Sequence, residues 1–156
     1  MKGIEKVLVY VLRLGTLVST CALIASVLLQ IFSRFFLAQA PAWTEEASRL
    51  FFVYATAFAA GLAYKDGDFI AFEGVYTRLS QRTQRFFDSF IPVLVSVLFG
   101  LFTYFSFPFI IQGYGETSPS IGMRMSVAFF SMVILAIGIC FFALLPLIHN
   151  LYASKS

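Results

Sequence analysis

Histidine is all but missing from this chain, cysteine is scarce and charge is thin, and each shortage removes a class of function. His149 is the only histidine, so the chain alone holds no pair of axial histidines for a haem. Cys21 and Cys140 stand in separate apolar runs with no Cys-x-x-Cys or Cys/His cluster beside them. They read as small buried hydrophobes and give no metal or disulfide pattern, so no cofactor is expected. Only 12% of the residues are charged and 60% are hydrophobic, whereas soluble domains carry about 25% charge. A soluble globule is excluded, and the chain reads as an all-α integral membrane protein. The net charge of +3 lies between the apolar runs, where it serves membrane orientation, and no nucleic-acid partner is read from it.

What is present is a single membrane domain over 1–156, with four expected transmembrane helices near 12–35, 45–64, 88–112 and 125–148. Leu14–Ser33 is uncharged and long enough to cross roughly 30 Å of hydrocarbon. Ala38-Gln39-Ala40 has the look of a leader cleavage site, but the apolar run exceeds a leader's and Pro41 stands at the cut, so the first span is expected to stay. Leu50–Tyr64 is short for a crossing and must borrow its first turns from the charged residues before it. Within it Ala57 and Gly61 form a small-xxx-small pair, either a helix-packing face or lipid-facing filler. Pro92 and Pro108 fall in the third span, where Pro108 bends or ends it. Gly113–Arg124 reads as turns, and Asp66-Gly67-Asp68 reads as a turn rather than a calcium loop.

Between spans two and three, Phe69, Phe72, Val75, Tyr76 and Leu79 recur with helical period, opposite Glu73, Thr77, Arg78, Gln81 and Arg82. An amphipathic helix lying in the interface is expected over about 69–84. Arg78, Arg82 and Arg85 follow one another along one side, either as contacts for anionic lipid or a partner or simply as orienting charge. Eight Lys and Arg fall on the side of the two termini and the second loop, while Arg34, Arg49 and Arg124 fall on the other. That excess places both termini in the cytoplasm.

No span has an ionisable residue at its centre, although a carrier working alone usually needs one. Gln30 is the main polar amide inside the first span, where small four-helix proton-coupled exporters carry an embedded carboxylate. The convergent His, Cys, Asp or Glu that an enzyme needs are missing from the spans as well.

Charge is concentrated instead at the start of span two, in Trp43-Thr44-Glu45-Glu46-Ala47-Ser48-Arg49. Pro41 stops any arriving helix, Thr44 is placed to cap the next one, and Glu45 and Glu46 fall in the first turn, where the helix dipole favours them. Both acids lie within helical reach of Arg49, at i,i+4 and i,i+3. Two readings stay open: an internal ion pair that fixes the start of the span, or a contact with a neighbouring chain that takes up the surplus acid. Trp43 has the amphipathic ring that suits the headgroup level.

The Trp43-x-Glu45-Glu46-x-x-Arg49 pattern, with the Ala-rich span ending in Gly61-Leu62-Ala63, resembles the small membrane subunit of tripartite ATP-independent periplasmic (TRAP) transporters, the DctQ-like family. Thr117-Ser118-Pro119-Ser120-Ile121-Gly122-Met123 is similar to that family's loop before the last span. Phe69-Ile70 stands where members often have His followed by Ile or Val, and the usual Pro and Tyr are missing around Met125–Phe130. The resemblance implies a bacterial inner-membrane complex. In it a periplasmic binding protein captures an organic acid, a large multi-span subunit carries it with sodium by an elevator motion, and the small subunit holds the scaffold still. It implies that Trp43, Glu45, Glu46, Arg49, Ala57 and Gly61 serve the contact with the large subunit or the scaffold itself. Arg78, Arg82 and Arg85 become lipid anchors, and Arg34, Glu116 and Arg124 face the binding protein. The alternative is a small carrier that transports alone as a homo-oligomer.

Overall fold

The computed structural model describes residues 2–36, 41–67 and 80–153. They form four helices, α1 (Lys2–Phe36), α2 (Trp43–Asp66), α3 (Gln81–Gln112) and α4 (Met125–Ala153), with no strand among the described residues. All four are long and apolar enough to cross a membrane. At 24 residues the shortest, α2, still spans about 36 Å at 1.5 Å per residue.

Helix ends follow local chemistry. Gly67 closes α2 at φ 84°, its N–H reaching back to Ala63 and Tyr64, a left-handed cap that suits glycine. Ser80 opens α3 with its side chain accepting from the Thr83 N–H, so the helix starts at Gln81, well before the apolar run begins. Gln81–Gln84, expected at the end of an interfacial helix, form the first turn of α3 instead. Residues 69–79 of that expected helix, Arg78 included, lie outside the described residues. Pro108 does not end α3, which runs through both prolines to Gln112. The Ser96 hydroxyl donates to the Pro92 carbonyl at 2.7 Å.

The helices pack in the order α1, α2, α4, α3. Glu5 near the start of α1 meets Lys65 at the end of α2, so these two run antiparallel. By contrast α2 and α4 run parallel: Tyr54 hydroxyl donates to the Val127 carbonyl at 2.6 Å, and further along Gly61 meets Gly138. α3 is the return crossing that allows a parallel pair, and it lies on the far side of α4, with Phe109 against Phe129 and Cys140 near the Ser96 carbonyl.

Lipid tails are as apolar as leucine, so helix pairs in a bilayer are chosen by fit rather than by escape from water. Small residues make that fit. On α1 the buried positions are Leu12, Ser19, Ser26 and Ser33, at steps of seven, which is the seam of a left-handed helix pair. Phe58 of α2 packs on Gly15, where a β-carbon would meet its ring at 2.7 Å. Ala57 is 1% exposed, and Ala136 and Ala143 on α4 are fully buried. Several serine and threonine hydroxyls within the spans bond their own helix, Thr56 to the Phe52 carbonyl and Ser106 to the Phe102 carbonyl among them. No buried side-chain nitrogen or oxygen lacks a partner among the described residues.

Candidate functional site

The antiparallel packing of α1 on α2 and of α4 on α3 brings the end of α1, the start of α2 and the α3–α4 loop to one end of the molecule. The charged segment Trp43–Arg49 begins α2 there. Thr44 is not its cap: α2 starts two residues earlier than that would place it, at Trp43, with Ala42 at the cap position and no side-chain cap bond. Thr44 is buried instead, and both its N–H and its hydroxyl reach the Pro41 carbonyl, at 3.1 and 2.8 Å. The proline turn is thereby tied to the first turn of the helix.

Ala47 follows Thr44 onto the buried face, leaving the acids to point elsewhere. Glu45 pairs with Arg49 at 2.5 Å, and both side chains are well exposed. Glu46 does not join them. Its carboxylate accepts from the Ser118 hydroxyl, from the Ser120 N–H at 3.2 Å and from the Ile121 N–H at 3.0 Å. The surplus acid of the cluster is therefore taken up by the chain's own loop, because that loop aims hydroxyl and backbone donors at one point while Arg49 is already engaged. The two segments that carry the family resemblance, more than seventy residues apart, meet at this carboxylate.

The loop is itself folded. Thr117 and Arg124 form an antiparallel bridge, Ser118 N–H donates to the Met123 carbonyl at 2.8 Å, and Gly122 makes the turn at φ 70°. The first amides of α4, which have no partner inside a helix, donate to Glu116 and Gly113 carbonyls at 3.0 Å each. Arg124 lies 4.3 Å over the Tyr114 ring, a cation–π contact that leaves the guanidinium exposed. Gly113 has no room for a side chain, since a β-carbon would sit 2.6 Å from a Phe129 ring carbon and 2.7 Å from the Ser126 nitrogen. Gly113→Ala should therefore destabilise the chain by roughly 1–3 kcal/mol, whereas Gly115→Ala, whose nearest neighbour is 3.7 Å away, should be close to silent. Thermal unfolding in detergent of the two variants side by side checks this.

A family model for tripartite ATP-independent periplasmic transporters, DctQ component, matches residues 23–152. The chain belongs to the DctQ family. A search of curated proteins finds no match. As a DctQ chain it is a component of a tripartite transporter, in a family of transporter components rather than enzymes. The match takes in both the Glu46 segment and the loop that Glu46 holds.

The other residues singled out from the sequence fall as follows. Trp43 is half-exposed beside the ion pair, and Arg34, Glu116 and Arg124 are exposed at the same end. Ala57 and Gly61 are buried within the chain, Gly61 between Gly138 of α4 and Leu12 of α1. Arg82 is exposed on the first turn of α3, at the opposite end, and Arg85 lies one turn further along that helix. Sequence reasoning missed Ser118, Ser120 and Ile121 as the partners of Glu46. Two of those three bonds come from backbone N–H groups, which leave no mark in residue identity.

Proposed function

We propose that this DctQ chain is the static accessory subunit of a sodium-coupled, binding-protein-dependent carrier for an organic acid in the bacterial inner membrane. It widens and steadies the fixed scaffold of the large elevator subunit and helps dock the periplasmic binding protein. The observation that carries this reading is the Glu46 clamp. It joins the family's two signature segments into one fixed end piece, while no span centre holds an ionisable group with which to bind a solute. A moving carrier needs a site in its middle, but a wall needs close-packed small residues and a rigid rim. Glu45, Arg49 and Trp43, exposed beside that rim, are the contacts for the large subunit. Arg34, Glu116 and Arg124 face the binding protein, and Arg78, Arg82 and Arg85 anchor the cytoplasmic end in lipid.

Co-expression with a large TRAP subunit and its binding protein, followed by purification through a C-terminal tag on this chain, is the test. The expected result is stoichiometric recovery of the large subunit, and sodium-driven uptake in vesicles that requires all three proteins. Recovery of this chain alone as an oligomer, with uptake by it alone, would replace this reading with a self-sufficient carrier.

A further inference from the structure

At the end of the molecule opposite the Glu46 clamp, α1 and the end of α2 border an open cleft of about 240 Å³ lined by Glu5, Lys6, Val9, Tyr10, Arg13 and Lys65. That is smaller than the roughly 300–1,000 Å³ of pockets that engulf a whole small molecule, but it suits a headgroup whose remainder stays outside. Three cations line it against one acid. Lys65 reaches Glu5 only at 4.0 Å, and neither Lys6 nor Arg13 has an ion-pair partner among the described residues. The surplus of positive charge calls for an anion.

The position says which anion. Arg13 is the last charge before Leu14–Ser33, and Lys65 is the first after Leu50–Tyr64, so the cleft sits where hydrocarbon gives way to headgroups. Tyr10, 68% exposed, adds the amphipathic ring typical of that level. On a helix Lys6, Tyr10 and Arg13 share a stripe with Leu17, Ile24 and Ile31, all three of them exposed. An apolar track thus leads from the cleft into the hydrocarbon, which a free phosphate cannot use and an acyl chain can. We propose that this cleft binds the phosphate of an anionic phospholipid, with Lys6, Arg13 and Lys65 around the headgroup and an acyl chain along α1. The residues of the site are other than Arg78, Arg82 and Arg85, and it does not depend on the transporter reading, because it is measured on this chain alone.

The test is native mass spectrometry of the full chain titrated with phosphatidylglycerol, with phosphatidylcholine, and with phosphatidylglycerol in the presence of millimolar inorganic phosphate. Phosphatidylglycerol should be retained over phosphatidylcholine and should resist phosphate. Lys6→Gln and Arg13→Gln should each weaken its retention about five-fold, the scale of one basic residue near an anionic surface. Glu5→Gln removes the competing carboxylate and should strengthen retention, a direction that misfolding does not produce. Equal retention of the two lipids, displacement by inorganic phosphate, or no gain in Glu5→Gln overturns the proposal.

Discussion

Glu46→Ala should release the loop between α3 and α4 and abolish uptake by the assembled transporter, while the four helices stay in place. The carboxylate is the common acceptor for the Ser118 hydroxyl and for the Ser120 and Ile121 amides. Amide exchange at Ser120 and Ile121 should accelerate by about ten-fold or more, the scale set by losing a hydrogen bond to a charged group. Binding of the solute by the purified periplasmic protein should be unchanged. Glu45→Ala is the informative neighbour. Its pair with Arg49 is exposed, and such pairs contribute roughly 0–1 kcal/mol to folding, so the loop's exchange should not change. A fall in yield of the complex with Glu45→Ala would then report a contact with the large subunit. If Glu46→Ala left both amide exchange and uptake as they were, the clamp would have no part in the transporter's working.

Gly61→Leu should separate α2 from α4. A β-carbon at Gly61 already lies 3.2 Å from the Gly138 α-carbon and 3.2 Å from a methyl of Leu12, so the extra side chain meets backbone on one side and α1 on the other. No rotamer relieves a clash with backbone, and the cost is on the order of 3 kcal/mol or more, at or beyond the upper end for overpacking. Because α2 carries Glu46 and the loop runs directly into α4, the clamp should loosen with the crossing. Gly100→Leu is the matched control, since nothing lies within 4 Å of a β-carbon there. Comparing unfolding temperature and detergent-extracted yield decides it. A Gly61→Leu chain as stable as Gly100→Leu would show that α2 and α4 do not depend on this close approach.

Several of these features are visible in the chain before any folding. The four apolar runs, the Pro41 turn and the Glu45–Arg49 spacing follow from local rules, and the spacing produces the ion pair it predicts. Ala57 and Gly61 stand out as small residues at helical spacing, but nothing in their own segment names Gly138 as the residue Gly61 meets. The buried serines of α1 at steps of seven were equally legible, and polar type draws the eye away from reading them as packing positions. Two local inferences gave way to longer-range chemistry. Thr44 bonds the Pro41 carbonyl rather than capping α2, because the helix has already begun at Trp43. Glu46 turns from Arg49 because a distant loop presents it with more donors than one shared guanidinium does.

By itself the sequence determined that this chain lives in a membrane, that it crosses four times, and where its charged rims fall. Each of these depends on the transfer of one segment from water to hydrocarbon, a sum over that segment's own residues. The tertiary structure alone decided that α4 inserts between α2 and α3, and that Glu46 closes on the loop before α4. Once helices are in lipid their apolar surfaces are solvated equally well everywhere, so partners are selected by shape and by hydrogen bonds between remote residues. That selection belongs to pairs of segments, and no single segment carries it.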